Sequence, residues 1–275
     1  MFGNLKGSSA RQIQEKASRR LIVKTKKFMN LFRLPNTETR PVFIIGNGRS
    51  GTTMLINLLE RDFRVDVYNE NDPRIADNYL LDFDKLAIAI ELSKLPVMVA
   101  KPILNTFDVM RLLNDYHNSR VVWMVRSYKD MASSAKKLFG DRLPRYMHDL
   151  VVDGSGDNFL SKGMPQKTLK RLRELDCSGF SNLDWIALVW WSVNVTAVDN
   201  NLHNDPRVLL VRYDLIVPAP EKYLQKISYF MGLEYLPRLG AYINARSVGK
   251  GSDVALSPVV EKICSELYEE LKAKF

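Results

Sequence analysis

Residues 41–53, PVFIIGNGRSGTT, constrain this chain more than any other stretch: an apolar run leads into a glycine-bounded turn, and the turn into helical spacing. Four consecutive apolar residues at 42–45 suit a parallel strand covered on both faces, while Met54, Leu55, Leu58 and Leu59 recur along one helix face. Strand, tight turn and helix in that order aim backbone N–H groups and a helix N-terminus at one place, which holds an anionic phosphate without a cation. Gly46 to Thr53 keeps the frame of an ATP-binding loop, G-x-x-x-x-G-K-[ST], with Thr52 where that motif requires lysine. In NTPases this lysine neutralises the β/γ-phosphates beside a magnesium ion, so a kinase reading starts without its main charge. Arg49 offers the same loop a cation from another angle.

The combination R-S-G-T-T after an apolar strand resembles the 5′-phosphosulfate loop of the sulfotransferases that use 3′-phosphoadenosine 5′-phosphosulfate (PAPS). A second match lies at a distance. Residues 121–125, VVWMV, end on Arg126, with Asp130 four and Ser134 eight residues on. The family's 3′-phosphate site likewise has an arginine at a strand end and a serine eight residues later. An arginine fork leaving the C-terminal end of a parallel strand lies in the crevice where open α/β sheets bind ligands, and a hydroxyl two helical turns on reaches the same oxygens. An ion pair between Arg126 and Asp130 is the competing use of that arginine. Residues 97–102, VMVAKP, read as a strand ending on Lys101, where the family places a lysine. Residues 207–215, RVLLVRYDL, and 230–233, FMGL, resemble the family's R-Y-E-D-L strand and F-L-G-L helix end, so the likeness runs from about residue 41 to the C-terminus.

The resemblance implies a set of roles. Arg49 and the N–H groups of Ser50, Gly51, Thr52 and Thr53 fall to the 5′-phosphate and leaving oxygen, and Arg126 with Ser134 to the 3′-phosphate that marks PAPS apart from ATP. Lys101 falls to the transferring group. Arg246, Gly249 and Lys250 fall to a basic loop over the nucleotide, followed by a helix opened by Ser257 as N-cap and Pro258 at its first position. The base departs from the cytosolic small-molecule branch: its histidine, two residues after the strand-end lysine, is replaced here by Ile103, and its adenine-stacking tryptophan by Met54. The protein-tyrosine and many carbohydrate sulfotransferases use a glutamate shortly after the second strand. Glu70 matches that position, with Asp72 as rival. His117, His148 and His203 fall outside every matched motif.

With 275 residues and 46% apolar content, the chain can bury a full core as one α/β domain. Apolar strands expected at about 42–46, 65–68, 97–101, 121–125 and 208–213, separated by helical patterns, argue for a P-loop-like domain with a mainly parallel central sheet and helices on both faces. Residues 183–199 form an apolar helical stretch with Trp190 and Trp191 expected in the core. The glycine-punctuated residues 140–182 read as a long irregular insertion, expected to shape the acceptor pocket as a lid or binding loop, the alternative being a surface excursion with no partner.

Charge is concentrated at one end. Residues 1–40 carry ten Lys/Arg against Glu15 and Glu38, a net +8 of the whole-chain +9, which leaves +1 for the domain at 41–275. The basicity therefore belongs to an N-terminal arm, suited to an anionic membrane surface or a polyanion, or to solvent; no nucleic-acid partner is expected. No stretch is apolar enough for a signal-peptide core or a transmembrane helix, and Cys177 and Cys264 provide neither a disulfide framework nor a metal cluster, so a cytoplasmic protein is expected, either free or held peripherally at a membrane by the arm. The sequon at Asn194 lies inside the apolar helical stretch and is discounted. The leading expectation is a metal-independent, PAPS-dependent transfer to a hydroxyl acceptor, a glycan, lipid or other small molecule rather than a protein. The alternatives are a noncatalytic nucleotide- or polyanion-binding protein on the same scaffold, and, behind it, a P-loop kinase.

Overall fold

The computed structural model describes residues 38–243 and 253–275, together with Ala17, Leu21, Ile22, residues 24–26 and Phe28. Seven strands run β1 (Arg40–Gly46), β2 (Val65–Tyr68), β3 (Ala76–Asp77), β4 (Leu80–Leu81), β5 (Val97–Ala100), β6 (Arg120–Val125) and β7 (Val208–Arg212) among the described residues. The central sheet has the order β2-β5-β1-β6-β7, and every pairing in it is parallel. All five strands expected from the apolar runs form within two residues of their expected ends. β3 and β4 make a small antiparallel hairpin, turned by Asn78 and Tyr79 at φ 48° and 67°; positive φ at both central residues matches the twist of the flanking strands.

Residues 42–45 in β1 and 121–125 in β6 are all fully buried, because both faces of the sheet are covered. The pleat divides them. Phe43, Ile45, Trp123 and Val125 join one core; Val42, Ile44, Val122 and Met124 join the other. Helices between residues 38 and 275 include, among the described residues, α1 (Thr52–Leu59), α2 (Phe83–Glu91), α3 (Val109–Asp115), α4 (Tyr128–Phe139), α5 (Arg142–Val151), α6 (Phe159–Gly163), α7 (Gln166–Arg173), α8 (Asn182–Asp199), α9 (Tyr213–Ile216), α10 (Pro220–Met231) and α11 (Pro258–Lys272). α1 and α10 supply the second core, and α4, α8 and α11 the first. α8 is buried on nearly every side, including Trp190 at 0% exposure, and Trp191 packs half-buried against the same core. Its start is a capping box: Ser181 Oγ accepts from Asp184 N, and Asp184 Oδ2 accepts from Ser181 N.

Two expectations need correction. Residues 140–182 are not irregular: α5, α6 and α7 occupy much of the segment, because apolar residues at helical spacing, such as Met147, Leu150 and Val151, bury against the core behind the glycines. Ser257 precedes α11 as expected, yet its hydroxyl makes no capping bond; its N–H instead donates to Asp184 Oδ1 at 2.7 Å, tying α11 to the start of α8. The N-terminal arm also touches the domain. Lys26 is buried and its Nζ donates to the carbonyl of Val65 on edge strand β2 at 2.8 Å. No helix among the described residues is long and apolar enough to cross a membrane.

Candidate active site

β1 lies between β5 and β6, and the chain leaves it toward β2 on one side and later returns to β6 on the other, so the sheet reverses its order at the C-terminal ends of β1 and β6. Ligands of open α/β sheets bind at such a switch point. The loop from Asn47 to Gly51 springs from there. Gly46 and Gly51 take φ of 122° and 95°, and a Cβ on either would lie 2.3 Å from the Met124 carbonyl oxygen or 2.2 Å from the Tyr213 ring. Only glycine fits at both ends of this loop. Arg49 is held at φ 70°, an uncommon conformation for a non-glycine residue and a frequent companion of ligand-binding loops. α1 begins directly after Gly51, and the N–H groups of its first turn have no intrahelical acceptor.

The two motifs 77 residues apart in sequence meet here. Arg49 Nε donates to Ser134 Oγ of α4 at 3.0 Å, and Arg126 Nη1 donates to the carbonyl of Arg49 at 3.1 Å. Arg126 is buried beside an equally buried Asp130, 3.6 Å away, and its guanidinium lies 5.0 Å from the Tyr213 ring centre. The competing ion pair expected from sequence therefore exists, but inside the cleft. It preorients the guanidinium that an incoming anion would share. The cleft, about 470 Å³, is lined by Arg49, Gly51, Thr52, Thr53, Met54, Arg126, Asp130, Ser133, Ser134, Lys137, Leu138 and Tyr213.

Beyond Thr53 the site continues to β5. Lys101, one residue past the strand and 4% exposed, donates to Thr53 Oγ1 at 3.2 Å and pairs with Glu70 Oε2 at 3.1 Å. The cation that the loop lacks at Thr52 is thus delivered by the adjacent strand. Glu70 follows β2, whose parallel pairing with β5 brings the two strand ends side by side. Asp72 is employed elsewhere: it takes Arg74 in a two-pronged ion pair and accepts from the Arg74 N–H. With Lys137 on the rim, Arg49, Arg126 and Lys101 give four cations against Glu70 and Asp130. The field favours an anion.

Arg49, Ser50, Gly51, Thr52, Thr53, Lys101, Glu70, Arg126 and Ser134 are therefore gathered at one end of the sheet. The Ser50 hydroxyl is fully buried with no hydrogen-bond partner among the described residues. Arg246, Gly249 and Lys250 lie outside the described residues. Sequence reasoning missed Tyr213, whose signal was the strand-end tyrosine in RYDL, and the buried pair Asn47–Asn194, whose amides bond at 2.6 Å. His117, His148 and His203 do not line the cleft. The one cluster of potential metal ligands among the described residues, His148 with Asp149 and Asp153, is on α5 and the turn after it.

No protein-family model matches the chain, and no curated protein matches it in sequence. Solved structures do match in shape. The sulfotransferase domain of the Synechococcus PCC 7002 olefin synthase aligns at a TM-score of 0.50 with 13% identity, covering 87% of this chain and 96% of that one. Sulfotransferase STF9 from Mycobacterium avium aligns at 0.52 with 14% identity, covering 87% of this chain and 78% of that one. At such identities the likeness is one of architecture, and it agrees with the parallel sheet flanked by helices above: the chain has the sulfotransferase fold.

Proposed function

We propose that this chain transfers a sulfuryl group from PAPS to a hydroxyl acceptor. The observation that carries the reading is the hydrogen bond from Arg49 Nε to Ser134 Oγ, which closes the phosphate loop after β1 onto the arginine–serine pair after β6. One cleft then offers two anion sites, as a nucleotide with both 5′- and 3′-phosphates requires. A kinase reading is less well supported. The loop hydroxyl that ligates magnesium in ATP-binding loops is Thr53 here, and it accepts from the Lys101 ammonium instead.

A transferring sulfuryl group carries less negative charge than a terminal phosphoryl group, so fixed cations and helix N–H groups suffice to stabilise it. Glu70 accepts the proton of the acceptor hydroxyl as that oxygen bonds to sulfur. The bond from sulfur to the 5′-phosphate oxygen breaks, and 3′-phosphoadenosine 5′-phosphate departs with the electron pair. Arg49, Lys101 and the first turn of α1 receive the charge that develops on the leaving oxygen. The acceptor is a hydroxyl of a glycan, lipid or other small molecule, approached from the Glu70 side, with 140–182 bounding its pocket, and the setting is cytoplasmic.

Sulfur-radiolabelled PAPS, offered with a panel of glycan, lipid, phenol and peptide acceptors, tests this. Label moving to one acceptor class supports it; tight nucleotide binding with no transfer to any acceptor supports a noncatalytic nucleotide-binding protein. The basic arm is assigned to an anionic membrane surface or polyanion, on the ground of its +8 charge beside a near-neutral body. Replacing Arg19, Arg20 and Lys24 together by glutamine is expected to reduce sedimentation with phosphatidylserine vesicles at low salt and to change little at high salt. Equal sedimentation of both proteins at low salt would leave the arm as a solvated tail.

A further inference from the structure

The two anion loops of the cleft hang from one helix. Asn194, in the middle of α8 and fully buried, donates through Nδ2 to Asn47 Oδ1 at 2.6 Å and to the Trp190 carbonyl at 2.9 Å, and its Oδ1 accepts from Trp123 Nε1 at 3.2 Å. Asn47, the first residue of the phosphate loop, returns a bond from its own Nδ2 to the carbonyl of Val189 at 3.2 Å. One turn before Asn194, Trp190 Nε1 donates to the carbonyl of Arg126 at 2.9 Å. A polar amide in the centre of an apolar helix is costly unless its donors and acceptor are satisfied, and here the loop after β1, the Trp123 indole of β6 and the helix's own backbone satisfy them together.

We infer that Asn194 is a positioning residue that sets the separation between the 5′- and 3′-phosphate subsites. The loop after β1 is fastened to α8 at Val189 and Asn194, and the strand end at Arg126 is fastened at Trp190, so both hang from residues 189–194 of one helix, with Asn194 holding the loop side. A ligand bearing phosphates at both ends senses that spacing, whereas a ligand with a 5′-phosphate alone senses only one loop. The inference rests on the two-phosphate reading of the cleft. It adds that specificity for the doubly phosphorylated nucleotide is held by a residue that touches neither phosphate.

Calorimetric titration with 3′-phosphoadenosine 5′-phosphate and with adenosine 5′-phosphate, for the natural chain, Asn194→Ala, Asn47→Ala and the double variant, tests it, with the melting temperature of each recorded. Each single variant is expected to lower the ratio of the two affinities at least about tenfold, and the double variant no more than the worse single one, because both cut the same link. A merely structural role would lower both affinities in proportion and leave the ratio unchanged; that result overturns the inference. Equal affinities in the natural chain would instead overturn the two-phosphate reading beneath it. Should Asn194→Ala fail to fold, Asn47→Ala makes the same test from the loop side.

Discussion

Asp72 has both carboxylate oxygens on Arg74, whereas Glu70, two residues earlier, pairs with the Lys101 ammonium that also donates to Thr53 in the first turn of α1. From sequence the two carboxylates were rivals, since a turn reading Asn-Glu-Asn-Asp-Pro does not say which side chain points inward. The parallel pairing of β2 with β5 separates them. Glu70→Gln is accordingly expected to keep the fold and nucleotide affinity and to lower turnover by about 10²–10⁴, the usual range for a lost general base. Asp72→Asn is expected to leave turnover near normal and to cost about 0–1 kcal/mol of stability, as loss of a partly exposed ion pair does. Steady-state rates, nucleotide calorimetry and urea midpoints measured on both variants check the pair. Normal turnover in Glu70→Gln with loss in Asp72→Asn would move the base to Asp72.

Among the elements, the phosphate loop was the most legible, because its glycines, its missing lysine and the strand and helix around it are all local features. Gly51→Ala would place a Cβ against the Tyr213 ring in a left-handed conformation, so nucleotide affinity is expected to fall more than about tenfold and stability by about 1–3 kcal/mol, read by calorimetry and thermal melting. What fastens the loop was not legible. Asn194 reads as one more residue of an apolar helix, and only the packing of α8 beneath the loop gives its amide a partner 147 residues away. The contact of Lys26 with β2 was equally hidden, since a lysine within a run of cations reads as solvated. Burial, opposed by Asp62, Asp66 and Glu60, lowers its pKa from 10.5 to about 8. The unfolded chain therefore holds this proton between about pH 8 and 10.5 when the folded chain does not, so the stabilising contribution is complete above 10.5, grows as pH rises from 8 and is absent below it. Urea midpoints are expected to rise by the equivalent of up to about 2 kcal/mol between about pH 8 and 9.5 relative to Lys26→Met. Parallel pH profiles of the two proteins would place Lys26 in solvent.

For the whole molecule, the central strands β1, β5 and β6 could be read from unbroken apolar runs, because parallel strands buried on both faces leave such stretches, while the edge strands β2 and β7 are partly exposed and carry polar residues. The strand order could not, and neither could the helical character of 140–182, where glycines and charges mask the buried faces of α5 and α7. That order is what brings Arg49, Ser134, Arg126, Lys101 and Glu70 together, and so what turns scattered motifs into the cleft proposed to take a nucleotide with two phosphates. The most direct test is calorimetry with 3′-phosphoadenosine 5′-phosphate and with ADP, each with and without magnesium. The bisphosphate is expected to bind roughly ten- to a hundredfold more tightly than ADP, the equivalent of about 1.5–3 kcal/mol for a charge-assisted contact, with no dependence on the metal. Equal affinities, or binding that requires magnesium, would contradict the account.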